Sequence, residues 1–202
     1  MTPTPPAAPA DRCPWCGTEP AYVAYHDTEW GVPVRDSQAL FGKLVLDGFQ
    51  AGLSWWVILS KRDRFLEVFH DFDPERMARF GERDIQRLLG DAGIIRSRAK
   101  ITAAITNARV YLDLEQREPG GFSAHLWSFV DGRTLVNRWT RIEQVPARTP
   151  ASEAMARSLK QQGFSFCGPT ICYAFMQAVG MVNDHLTGCF RHAECAALAE
   201  RG

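Results

Sequence analysis

The chain has 202 residues, 46% of them hydrophobic and 23% charged, enough for one domain with a sizeable core, and this composition excludes global disorder. Lysine plus arginine equals aspartate plus glutamate at 23 each, so the chain is no polycation and any nucleic-acid partner must meet a local basic face. No apolar run of about eighteen residues occurs to span a membrane, and Met1 to Asp11, rich in proline and alanine, lacks the basic start and apolar core of a secretory signal.

Residues 1–11 read as a flexible tail, 12–195 as one helical domain and 196–202 as a second tail. Asp36 and Ser37 can cap a helix with Leu40, Phe41, Leu44 and Val45 on one apolar face. Ser54 can start the next, with Trp55, Ile58, Leu59, Phe65, Val68 and Phe69 at helical spacing. Asp73-Pro74 is a cap followed by proline at the first helical position. Gly81 separates that short helix from another over Asp84–Leu89. A longer helix is expected from Arg98 to Glu118, stopped by Pro119-Gly120-Gly121, and Ser123 can cap a short one through Val130. The stretch from Asp131 to Pro150 has no periodicity and reads as irregular. Strand alternation is absent, so the fold class is all-α.

The clearest local pattern comes late. A helix opens at Pro150 and runs through Gln162, with Gly163 as its stop. Phe164 to Gly168 follow, and Pro169 begins another helix through about Val179. In a helix, glycine-bounded hairpin and helix of this kind, the hairpin amides and the second helix's N-terminus face one way and suit a DNA phosphate. The same spacing also fits a plain helical hairpin.

Six cysteines stand at 13, 16, 167, 172, 189 and 195. Without a secretory signal, reduced thiols or metal ligands are the better reading than disulfides. His185 and Cys189 lie one turn apart if that segment is helical, and Cys13 with His26 can complete the four ligands that zinc prefers. The spacing equally admits a surface histidine at His26 and a buried apolar thiol at Cys189. Tyr22, Tyr25, Trp30, Trp55 and Trp56 crowd the first third of the chain, with Asp47 on the Asp36–Phe49 helix. An enzyme that acts on a flipped base holds it against aromatic faces and reads its edge by hydrogen bonds. Tyr25, Trp55 and Asp47 have the right types, although packing in a core explains the aromatics as well.

Four stretches in order carry a resemblance: Ala24–Pro33, Gln50–Trp55, Asp91–Arg96, and Gly163–Tyr173 running on to Val182–His185. With them the chain resembles 3-methyladenine DNA glycosylase I, of the helix-hairpin-helix glycosylase superfamily, from Arg12 to about Cys189. The resemblance implies one structural zinc held by Cys13, His26, His185 and Cys189, leaving Cys16 as a spare thiol. It implies a base pocket of Tyr25 and Trp55 with Trp15, Tyr22 and Trp30 around it. Gly163, Gly168 and Thr170 would hold DNA backbone, and Gly52 and Leu53 would lie near the gap left by the flipped nucleotide. The implied partner is double-stranded DNA with alkylated bases, and the implied protein is a cytoplasmic bacterial monomer. One position departs: the family usually has a glutamate where this chain has Asp47, whose carboxyl is one methylene nearer the backbone. That carboxylate is expected to act on the methylated adenine. The alternative is a paralogue that binds damaged or abasic DNA or prefers another alkylated base.

Methylation at N3 makes the adenine a cation and a good leaving group, so binding that cation is the main task and water completes hydrolysis at C1′. No lysine is placed as a nucleophile, so strand cleavage is not expected. Asp184 is a second candidate carboxylate, and its place beside His185 suggests an outer-shell role at the zinc. Arg96, Arg98 and Lys100 are candidate phosphate contacts.

Overall fold

The computed structural model describes residues 11–200, so most of the tail expected over 1–11 lies outside the described residues. Among these residues, helices make up nearly all the regular structure. The first, α1 (Pro20–Thr28), has proline in its first turn but no apolar stripe, and periodicity did not reveal it. α2 (Ser37–Gln50) starts where expected, with the Asp36 carboxylate accepting from the Ala39 amide at 2.8 Å. It is buried almost all round. From Leu40 to Phe49 only Lys43 retains appreciable exposure, which makes it the central helix rather than a surface one.

The single helix expected from Ser54 to Phe69 is two, α3 (Trp55–Leu59) and α4 (Arg62–Val68). The apolar positions skip from Leu59 to Phe65. In that gap Arg62 turns outward and donates to Glu29 at 2.6 Å. α5 (Pro74–Ala78) and α6 (Glu82–Leu89) follow, and α7 (Arg98–Arg117) is capped by Ser97. Ser123 caps nothing. α8 (Gly121–Trp127) begins two residues earlier, because Glu115 accepts from the Phe122 amide at 2.7 Å and Ser37 from the Ser123 amide at 3.2 Å.

α9 (Pro150–Gln162) and α10 (Pro169–Ala178) occupy the two stretches foreseen. Gly163 joins them at φ +107°, a backbone that side chains resist. Asn107 of α7 pins the connection in both directions: its Nδ2 donates to the Ser165 carbonyl at 3.0 Å, and its Oδ1 accepts from the Ser165 amide at 2.9 Å. α11 (Phe190–Ala199) ends past Cys195, so the C-terminal segment read as a tail is helical for most of its length. No helix among the described residues is long and apolar enough to cross a membrane.

The irregular stretch after Asp131 contains a strand, β1 (Leu135–Val136), paired in parallel with β2 (Val182–Asn183). Two-residue strands have no alternation to detect. Their effect is large, because the pairing brings the residues after β1 beside those after β2. The core gathers large side chains from most of these helices: Phe41 and Phe49 of α2, Phe65 of α4, Phe122 and Trp127 of α8, and Phe175 of α10. Trp127 donates its indole N–H to the Val34 carbonyl at 2.9 Å.

Gly180 fixes the approach of the α10 end to the segment after α1. Its φ is +70°, and an added Cβ would stand 2.5 Å from the Val32 carbonyl carbon and against the Pro33 nitrogen, backbone atoms that cannot yield. Gly180→Ala should therefore destabilise the fold by about 3 kcal/mol or more. In a thermal melt this would be a fall in Tm on the order of 10 °C; a change under about 2 °C would mean that this contact is not tight.

Candidate active site

The site lies where four distant segments meet: the turn and helix at 14–30, the end of α2 with α3, the stretch from Ile142 to Ala147, and α10 with the residues after β2. They enclose a cavity of about 370 Å³, within the size range of small-molecule sites. The five aromatic residues that the resemblance implied for the base pocket, Trp15, Tyr22, Tyr25, Trp30 and Trp55, line it together with Asp47, whereas Trp56 stacks on Tyr22 at 5.8 Å and is not in the lining.

The aromatics pack on one another as well as on the cavity. Trp15 meets Tyr22 at 5.3 Å and Trp30 at 4.9 Å between ring centroids. Tyr25 and Trp55 are 5.3 Å apart and tilted by 42°. A flat base held between two rings needs about 7 Å, twice a van der Waals contact. A base therefore stacks on one of these rings rather than between the two. Burial, with Asp47 next, pushes the Tyr25 phenol well above its ordinary value, so it stays a neutral hydroxyl.

Asp47 is 1% exposed. Its Oδ1 pairs with the Lys43 ammonium one turn earlier on α2. Its Oδ2 has no hydrogen-bond partner among the described residues, and neither has the indole N–H of Trp55. Burial raises the Asp47 carboxyl above the usual carboxylate range, and Lys43 opposes that shift. The cavity thus presents one buried acceptor and one buried donor. Lys43 was not singled out from the sequence, although its i, i+4 spacing to Asp47 was the available signal.

The far wall is organised by Asp184. Its Oδ1 accepts from Asn137 at 2.7 Å and Trp139 at 2.8 Å, and its Oδ2 from Tyr173 at 2.6 Å and Gln177 at 2.8 Å. The pairing of β1 with β2 is what delivers Asn137 and Trp139 to it. Burial, then this carboxylate, holds the Tyr173 phenol far above its usual value. Asp184 therefore faces the cavity wall, and the outer-shell role at the histidines expected for it is filled by other groups.

Behind the wall, Cys13, His26, His185 and Cys189 are all buried, with their four ligand atoms within 4.8 Å of one another. The segment from His185 to Cys189 is a turn rather than a helix, yet the turn brings Cys189 Sγ to 3.6 Å from His185 Nδ1. Cys189 Sγ lies 3.5 Å from His26 Nε2, and Cys13 Sγ 3.6 Å from His185 Nδ1. A tetrahedral zinc at ordinary bond lengths places sulfur and nitrogen ligands about 3.5 Å apart, so the donor set and its edges fit that ion. The outer ring nitrogens are both engaged, His26 Nδ1 with Asp27 at 2.7 Å and His185 Nε2 with the Trp30 carbonyl at 3.0 Å. This turns the other nitrogens inward. Hydrogen bonding with the Cys13 thiol, and then with both imidazoles, draws the Cys189 thiol down. Cys16 is buried and donates to the Cys13 carbonyl at 3.2 Å, outside the four. Trp15 rests on His26 at 5.2 Å and Trp30 on His185 at 4.6 Å, so this cluster and the cavity share a wall.

The remaining sequence candidates divide. Gly168 lines a separate cavity of about 490 Å³ beside the α9–α10 connection, with Arg157 and Lys160. Thr170 faces the aromatic cavity instead. Leu53, 40% exposed, follows Gly52 at the end of α2. Lys100 cannot meet phosphate as it stands, because its ammonium donates to the carbonyls of Phe49 at 2.8 Å and Ala51 at 2.6 Å. Arg98 pairs with Glu82 at 2.8 Å.

A family model described as methyladenine glycosylase matches residues 15–192. The chain is 51% identical over 180 residues to DNA-3-methyladenine glycosylase 1 of Escherichia coli (strain K12), covering 89% of this chain and 95% of that protein. The crystal structure of a 3-methyladenine DNA glycosylase I superposes with a TM-score of 0.87 and 52% identity, covering 89% of this chain and 98% of the other. A single-residue variant of a 3-methyladenine DNA glycosylase I, in complex with 3-methyladenine, superposes with a TM-score of 0.85 and 36% identity, covering 89% and 96%.

Replacing Asp184 by asparagine tests the far wall. The amide nitrogen would face two of the four donors, and hydrogen bonds to a charged group contribute about 1.5–3 kcal/mol each. Urea denaturation of Asp184→Asn should show a loss of about 2–4 kcal/mol; a loss below about 0.5 kcal/mol would mean the four contacts carry no stability.

Proposed function

The chain belongs to the methyladenine glycosylase family, and from that premise we propose that it excises 3-methyladenine from alkylated double-stranded DNA, as a base-excision repair glycosylase of the bacterial cytoplasm. The observation that carries this reading is the pair of buried, unpartnered groups in the aromatic cavity, Asp47 Oδ2 and Trp55 Nε1.

A nucleotide swung out of the duplex enters the cavity and stacks on an aromatic face. Its methylated adenine is a cation, attracted by the carboxylate of Asp47 and the electron-rich indole face of Trp55. The glycosidic bond breaks with both electrons going to the base, which leaves neutral, while positive charge moves to C1′ of the sugar. A buried carboxylate favours that cationic state over the neutral ground state of an unmodified nucleotide. Water then bonds to C1′ and releases a proton, giving the abasic sugar and free 3-methyladenine. Little acid catalysis at the base is required, which suits a cavity whose phenols stay neutral.

Cys13, His26, His185 and Cys189 would hold one zinc ion. With four protein ligands it has no position for water or substrate, so its contribution is to tie the N-terminal segment to the chain after β2. Through Trp15 and Trp30 that tie also braces the cavity. The α9–α10 connection, with Gly163 and Gly168 at its ends, would take the DNA backbone on the amides of Phe166 to Gly168 and on the α10 N-terminus, assisted by Arg157 and Lys160. Leu53 would press into the gap that the base leaves.

Incubating the protein with methylated duplex DNA and separating the released bases by chromatography tests the activity. 3-Methyladenine should be the main product, and Asp47→Asn should lower its kcat/KM by roughly ten- to a hundredfold. Release at the native rate by Asp47→Ala would remove that residue from the chemistry.

Metal analysis should find one zinc per chain. Cys189→Ala should lose it and melt at lower temperature, since zinc binding contributes to folding, whereas Cys16→Ser should retain it. Purified protein without zinc would overturn the metal assignment.

A further inference from the structure

One charged group in the aromatic cavity has no part in the reaction just described. Lys43 lies one turn before Asp47 on α2, and its side chain is 16% exposed. Its ammonium donates to Asp47 Oδ1 and sits 4.1 Å from the centre of the Trp55 ring. A carboxylate and an indole face are the two partners that a cationic purine needs. The ammonium already engages both.

We infer that Lys43 sets the charge selectivity of the cavity: its ammonium is a tethered competitor that a cationic base must displace from Asp47 and Trp55, while a neutral base is spared most of that competition. This rests on the cavity being the base site.

The neighbouring charges do not alter the balance. Glu29 and Arg62 face Lys43 from the end of α1 and from α4, but they pair with each other at 2.6 Å and act on the ammonium in opposite senses. Tyr25 stays neutral through burial. Burial lowers the proton affinity of Lys43, and Asp47, with Glu29 after it, opposes that shift. The indole N–H of Trp55 and Asp47 Oδ2 remain without partners among the described residues. They are open to either kind of base, and a neutral purine has both the acceptor and the donor edges to use them. Lys43 therefore opposes only the part of recognition that depends on the ligand's charge.

Two small probes separate charge from shape. 3,9-Dimethyladeninium is a permanent cation whose N9 methyl stands for the sugar, and 3-methyladenine is neutral at pH 8. Their affinities are read by quenching of tryptophan fluorescence, with no chemical step. Removing a like charge a few ångströms away in a partly desolvated site shifts affinity by roughly ten- to a hundredfold. Lys43→Met should therefore raise the ratio of cation to neutral affinity about tenfold or more, and Lys43→Arg should hold it near the native value. If Lys43→Met does not fold, Lys43→Gln carries the same expectation. Binding of both probes with an unmoved ratio in the neutral variant overturns the inference while leaving the base site intact. Failure of both probes to bind the native protein overturns the base site, and this inference with it.

Discussion

A carboxylate and an indole N–H are held in one aromatic-walled cavity, each with an atom unpaired among the described residues. Leaving a buried polar group without a partner costs about 1–3 kcal/mol, so the free protein gains nothing from this arrangement by itself. It persists because the surrounding framework is rigid. Asp47 stands on the most buried helix of the molecule. Trp55 opens the helix that follows, after a turn whose carbonyls are held by Lys100. The site is an instance of local instability imposed by a well-packed scaffold, which is the usual physical signature of a place that waits for a ligand.

Three ties make the scaffold rigid, and each joins segments far apart in sequence. The Cys13, His26, His185 and Cys189 cluster brings both ends of the domain to the back of the cavity. Asp184, one residue before His185, gathers four donors from two segments at the cavity wall. Gly180 allows the end of α10 to touch the backbone at Val32 and Pro33. The first two ties are polar and buried, and each fixes geometry as well as adding stability. That division fits a protein whose bulk stability rests on its aromatic and aliphatic core, while its polar ties set the positions of a few side chains.

Much of the helical framework was legible in the sequence because caps and stops are local signals. Asp36, Asp73, Gly163 and Pro169 all mark real boundaries. α1 escaped notice because its residues serve both the cavity and the Cys and His cluster, and carry no single apolar stripe. The α3–α4 break escaped because a skipped apolar position looks like ordinary spacing in a long helix. The parallel pairing at 135–136 with 182–183 was invisible, since its partners are distant and each strand is two residues long. The site aromatics and the four Cys and His residues could be named from chemistry and resemblance. The partner of Asp47 could not, because a lysine at i−4 on a helix is usually a solvated surface pair, and only the packing of α3 against α2 reveals that this one is enclosed.

The aspartate at 47, where the resemblance implies a glutamate, belongs to the same physics. Shortening a carboxylate by one methylene withdraws it toward its own helix, where a lysine one turn back can reach it. The shorter acid and the enclosed lysine therefore form one unit, and the charge seen by an incoming base is that of the pair. The central claim, that Asp47 and Trp55 receive the base, is tested most directly by nuclear magnetic resonance on the native protein titrated with 3-methyladenine. The Trp55 indole N–H and the Asp47 side-chain carboxyl resonances should move together and saturate, while the Trp127 indole in the core stays fixed. Saturable binding that leaves Trp55 and Asp47 unmoved would contradict it.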